Sequence, residues 1–134
     1  HVLGALGGRA ALVVHGHGGL DELTTAGPNR VSHLRDGQVR TYTFDPADLG
    51  LRPAADEDLR GGDPQRNAAL LEALLRGEDD SPRRDVVLLN AAAALAAEDG
   101  DFPAALDAAR QALESGAAFE RLQALRAVSQ QVAA

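Results

Sequence analysis

Residues 31–44 read VSHLRDGQVRTYTF, and this stretch decides the fold class. Val31, His33 and Arg35 alternate with Ser32 and Leu34, and Val39 with the β-formers Thr41, Tyr42, Thr43 and Phe44 follows. Between the two runs stands Asp36-Gly37. Both central positions of a type I′ turn need positive φ, which glycine adopts freely and aspartate tolerates, so the pair reads as the two-residue turn of a β-hairpin. Asp45-Pro46 closes the second strand, and Ala47 to Leu49 fit a single helical turn. Within the hairpin, His33 reads as a surface residue.

Upstream, residues 11–15 (ALVVH) form a short apolar run bounded by glycines, the pattern of a strand buried on both faces. Residues 1–10 (HVLGALGGRA) read as the tail of a helix ending at Gly7-Gly8. Downstream, residues 52–63 (RPAADEDLRGGD) are polar and rich in breakers, a loop, and beyond them the period becomes helical. Asp63-Pro64 gives an N-cap followed by proline at the first helical position, with Leu70, Leu71, Leu74 and Leu75 on the helix and Gly77 at its end. Ser81-Pro82 repeats the signal ahead of Val86, Val87, Leu88, Leu89 and Leu95. Pro103 opens a third helix with Leu106, Ala109 and Leu113 on one face, and residues 117–132 a fourth with Leu122, Leu125 and Val128. No solenoid period recurs. The order is helix, strand, hairpin, four helices. A strand apolar on both faces needs a neighbour on each side and the hairpin supplies at most one, so the chain reads as short of partners, a piece of something longer. That it begins at His1 rather than Met agrees.

The 134 residues are enough for one compact domain. Alanine supplies 27 of them, and Ile, Met and Trp are absent, so close-packed helices around a modest core are expected. With no cysteine, disulfide frameworks, thiol nucleophiles and cysteine zinc sites are excluded. No apolar run reaches membrane-spanning length and no signal peptide is visible, and the expected setting is cytoplasmic. The net charge of −7, with every cation an arginine, argues against nucleic-acid binding by the whole surface. Residues 1–50 carry four Arg against five acids, and the remainder nine against fifteen, so a phosphate-bearing ligand is better tolerated near the first segment.

Four constellations are candidates for chemistry. Asp21 and Glu22 follow the apolar strand, at the strand end where open α/β sheets bind ligands. On a glycine-rich bend two adjacent carboxylates can converge on Mg²⁺, a hard cation that keeps several waters and shares substrate phosphates. Equally, two acids at a helix N-terminus favour its dipole. His15 and His17 flank Gly16 with no third ligand nearby, so a metal role competes with a backbone contact for His15. Arg60-Gly61-Gly62 ahead of Asp63 reads as an anion-binding nest or simply as a turn before a cap. Asn90, alone on the apolar run LNAAAA, suits a hydrogen bond to neighbouring backbone at a close crossing. There is no G-x-S-x-G elbow, P-loop or G-x-G-x-x-G.

Taken in order, VVHGHGGLDELTTAGPNRV, DGQVRTYTFDPADLGL, DLRGGDPQRNAALLEALLRGE and RRDVVLLNAAAALA resemble the C-terminal part of anthranilate phosphoribosyltransferase over nearly the whole chain. The resemblance implies that residues 1–134 are the C-terminal part of that family's α/β domain, with its helical N-terminal domain and the first half of the α/β domain lying outside the chain. It implies transfer of a 5-phosphoribosyl group from phosphoribosyl pyrophosphate to anthranilate in tryptophan biosynthesis, and a homodimer at full length. It also implies that Asp21 and Glu22 bind Mg²⁺ at the diphosphate, and that Asn90 and Ala93-Ala94-Leu95 serve packing. The phosphate-cradling glycine loop and the anthranilate contacts belong to the N-terminal portion, so this chain alone is expected to be inactive. Two alternatives stand beside it: a pyrimidine-nucleoside-phosphorylase-like enzyme of the same architecture, which lacks the Gly-Leu-Asp-Glu stretch, and a non-enzymatic helical interaction module.

Overall fold

The structure, a computed structural model, describes residues 1–132. In chain order it contains α1 (Val2–Ala5), β1 (Ala10–His15), β2 (Asn29–Arg35), β3 (Gln38–Phe44), α2 (Pro64–Leu75), α3 (Pro82–Leu95), α4 (Phe102–Glu114) and α5 (Ala117–Val132). Asp36 has φ 50° and Gly37 φ 73°, as the type I′ turn requires, and β2 and β3 pair antiparallel with Val31 opposite Tyr42.

The sheet is three-stranded, in the order β1-β2-β3, with β1 antiparallel to β2 and Val14 opposite Val31. This corrects the reading of β1 as a strand covered on both faces. Its inward row, Leu12 and Val14, packs on the core beside Val31, Tyr42 and Phe44. Its other row is open: Val13 is 57% exposed, and β1 stands at the edge of the sheet. An apolar run reports what a strand can bury, and among the described residues only one face is covered along its length. The outer face is covered at one end alone, where the buried Leu34 lies beneath α1 at Gly4.

The helices begin where the sequence signals place them. The Asp63 carboxylate accepts from the Arg66 amide at 2.8 Å and the Asp101 carboxylate from the Ala104 amide at 3.0 Å. Ser81 departs from this pattern. Its side chain makes no capping bond, and Pro82, with φ already helical, starts α3 without it. Asp45 caps the short 3-10 turn Pro46–Leu49. Leu88, Leu89, Ala92, Ala93 and Ala96 of α3 and its C-terminal end face Phe102, Leu106 and Ala109 of α4 in one buried cluster, the small residues permitting a close approach. Phe102 stacks on Phe44 at 4.6 Å, which joins the helical layer to β3. The expected apolar stripe of α5 is different: Leu125 is 65% and Val128 56% exposed, and the helix is held to α2 and its end through Phe119, whose ring lies under Arg76, and through Arg126, paired with Glu72 at 3.3 Å.

Candidate functional site

The loop from Gly16 to Pro28 joins β1 to β2 and carries the acidic pair. Its first half closes on Gly16, whose amide donates to the Leu20 carbonyl at 2.8 Å. Gly16 is buried, and a Cβ there would collide with the Glu22 carbonyl oxygen, so this bend admits only glycine without moving. Gly18 and Gly19 follow with φ 72° and 91°.

Asp21 and Glu22 come next, both exposed and neither paired with an arginine among the described residues. They lie on a bend rather than in the first turn of a helix, so the dipole reading has no helix to act on.

Directly after them the chain dives inward. Leu23 and Thr24 are fully buried, and each has its backbone held by an asparagine side chain. Asn90 of α3 accepts from the Leu23 amide at 3.0 Å and donates to the Leu23 carbonyl at 2.7 Å and to its own helix at Val86. Asn29 of β2 accepts from the Thr24 amide and donates to the Thr24 carbonyl, both at 2.9 Å, and to the Gly27 carbonyl at 3.0 Å. The Thr25 hydroxyl accepts from the Ala54 amide at 3.1 Å, tying the loop to the segment after the hairpin. The carboxylates thus project from a loop whose inner half is hydrogen-bonded to α3, β2 and the segment at Ala54.

The chemistry of these two side chains is that of magnesium ligands. Two exposed carboxylates supply hard oxygens and leave the remaining positions to water and phosphate, whereas no group of three His, Asp or Glu residues converges among the described residues. His15 and His17 are both exposed, and His17 lies against Gly27, so neither finds a metal-ligating set. The backbone contact expected of His15 belongs to His33. That residue, read as a surface histidine, is half-buried, with Nε2 2.8 Å from the Ala97 carbonyl at the end of α3. At Arg60-Gly61-Gly62 the capping account holds, because the Gly62 amide is taken by Asn67 Oδ1 at 2.7 Å and neither glycine has positive φ.

Asn90 is where the sequence expects it, bonded to backbone at a crossing, but its partner 67 residues away is invisible locally. Sequence reasoning does not single out Asn29, Thr24 or Thr25. Their one signal is polarity within a segment flanked by apolar residues.

Residues 1–119 match the family described as glycosyl transferase family, a/b domain. The chain belongs to this family. Within this glycosyl transferase family it is similar to the anthranilate phosphoribosyltransferase of Roseiflexus sp. (strain RS-1), 57% identical over 127 residues that are 92% of this chain and 37% of that protein. It is also similar to the enzyme of the same name from Chloroflexus aggregans, 53% identical over 89% of this chain and 36% of that protein. Among solved structures it resembles anthranilate phosphoribosyltransferase from Thermus thermophilus, with TM-score 0.76 and 40% identity over 87% of this chain and 34% of that one. The Saccharomyces cerevisiae enzyme in complex with PRPP and Mg gives TM-score 0.77 and 27% identity, over 87% of this chain and 34% of that one. The chain therefore spans little more than a third of the length of these relatives.

Proposed function

We propose that this chain supplies the magnesium-binding carboxylates and the C-terminal core of the α/β domain in an anthranilate phosphoribosyltransferase. The single observation that supports the reading most is the identity of 57% to a relative of that name across 92% of the chain, a span that includes much more than one motif. The reaction is substitution at C1 of the ribose. The anthranilate amine forms the new C–N bond, the C1–oxygen bond to pyrophosphate breaks, and the amine gives up a proton.

Negative charge develops on the departing diphosphate oxygens, and a divalent cation supplies Lewis-acid stabilisation of that charge when bound. Asp21 and Glu22 are the residues that would hold it. Their part is to offer two carboxylates from a bend whose inner half, Leu23 to Thr25, is locked to α3, β2 and the segment at Ala54. A fixed base under exposed ligands lowers the cost of organising the site. The full-length protein on this reading is a cytoplasmic homodimer. No described helix is long and apolar enough to cross a membrane.

The test joins this chain to the N-terminal portion of the Roseiflexus relative and follows anthranilate consumption and pyrophosphate release. Turnover by the joined protein, and none by the chain alone, is expected. Phosphorolysis of a pyrimidine nucleoside in place of anthranilate consumption would instead favour the phosphorylase alternative. Turnover of the isolated chain at the rate of the joined protein would contradict the assignment of substrate binding to the missing portion.

A further inference from the structure

We propose that Asn90 is a positioning residue for the Asp21-Glu22 loop, acting on the metal site through the backbone of Leu23. The proposal rests on the reading of Asp21 and Glu22 as magnesium ligands, and deepens it by naming what sets their place.

The geometry is that of a peptide mimic. The Asn90 carboxamide takes the Leu23 amide at 3.0 Å and gives a proton to the Leu23 carbonyl at 2.7 Å, as a neighbouring strand would. Its second Nδ2 proton goes to the Val86 carbonyl at 3.0 Å, one turn back on its own helix, which fixes the side-chain rotamer. Both donors and the acceptor of the amide are therefore used, and the orientation of the oxygen and nitrogen is dictated by the partners. Leu23 is fully buried against the α3 core while Glu22, one peptide earlier, is exposed. The carbonyl of the same peptide unit, that of Glu22, packs against Gly16. The Glu22 peptide is thus gripped between Gly16 and Asn90, and the direction in which the two carboxylates leave the surface depends on both. The α3 helix is a rigid platform, packed through Leu88, Leu89 and Ala92, whereas the loop has no ladder of its own to hold it.

Outer partners of metal ligands typically change metal affinity by about ten- to a hundredfold when removed. Asn90 touches no ligand, so its effect must travel through the Leu23 backbone alone, and the lower end of that range is expected.

The test uses the nitrogen-15-labelled chain, with Mn²⁺ and inorganic pyrophosphate as the probe, and reads paramagnetic broadening of amide signals. Residues 20–23 report the loop, and the acidic run at residues 78–80 serves as an internal reference for non-specific binding. In the unsubstituted chain, the loop broadens at lower Mn²⁺ than the reference. In Asn90→Ala, and in the similarly shaped Asn90→Leu that keeps the helix and its packing, the Mn²⁺ needed at the loop rises by about tenfold while the reference is unmoved. If Asn90→Ala does not fold, Asn90→Leu alone decides. An unchanged loop response in the folded variant, with the response abolished by Asp21→Asn/Glu22→Gln, overturns the role of Asn90 and leaves the metal reading intact. A loop response that is absent in the unsubstituted chain, or that survives the double acidic substitution, overturns the metal reading and the proposal with it.

Discussion

Arg52 donates through Nε to the buried carboxylate of Asp85 at 2.8 Å, and its backbone amide donates to the same oxygen at 3.0 Å. The loop after the hairpin is thereby fastened to the first turn of α3, five residues before the asparagine that holds Leu23. Asp85 is 6% exposed, and it also favours the positive end of the helix dipole. Its carboxylate raises the Arg52 pKa further above its ordinary value, by hydrogen bonding first and then by charge. Asp85→Ala leaves the Arg52 amide without its acceptor and should cost about 1.5–3 kcal/mol. Urea unfolding at neutral pH measures it, and a loss within the error of the extrapolation would show that the pair contributes nothing net.

Glu72 gives a pH-dependent contribution. The hydrogen bond from Arg76 at 2.8 Å holds its carboxyl below the ordinary glutamate range, assisted by the charges of Arg76 and of Arg126 on α5, while desolvation opposes. The unfolded chain titrates at the ordinary value. Stabilisation is therefore complete above the ordinary glutamate range and is lost as pH falls through the depressed value. Melting temperatures of the unsubstituted chain and Glu72→Gln should differ at neutral pH and converge in acid. Added salt should shrink the neutral-pH difference, since the pair is partly exposed. A difference that grows in acid would contradict the assignment.

What the sequence makes legible is local. Asp36-Gly37 specifies positive φ at two successive residues, and Asp63-Pro64 specifies a cap and a first helical residue, so hairpin and helix starts follow without reference to the rest of the chain. α4 begins at Phe102, one residue ahead of the expected Pro103, because the Asp101 carboxylate reaches the Ala104 amide. The antiparallel placement of β1 against β2 is not legible, because an apolar pentapeptide carries no direction. Nor is the role of His33, whose partner at Ala97 is 64 residues away, or the exposure of Leu125, which depends on what covers α5 and not on its helical period. The acidic pair itself is visible as two residue types on a glycine-rich bend; of its clamps, Asn90 acts from 67 residues away, and Asn29, though only five residues from Thr24, is one polar residue at a strand start with nothing local to mark its role.

Gly16 tests whether the bend matters to the carboxylates. Gly16→Ala places a methyl group onto the Glu22 carbonyl, which is backbone and yields only by moving the loop. The expected cost is about 1–3 kcal/mol of stability. The Mn²⁺ response at residues 20–23 should also weaken, although neither carboxylate has been altered. Amide chemical shifts that change at residue 16 alone, with loop and metal response preserved, would mean that the close approach is not a constraint.

The most direct measurement of the central claim is the Mg²⁺ dependence of anthranilate consumption in this chain joined to the N-terminal portion of the Roseiflexus relative, with and without Asp21→Asn/Glu22→Gln. Removing both carboxylates should lower turnover by about a hundredfold or more and raise the Mg²⁺ required, given several kcal/mol of metal stabilisation of the leaving group, while the melting temperature stays unchanged. A double variant that melts early yet keeps the parent rate and Mg²⁺ requirement per folded molecule would contradict the account and make the pair structural.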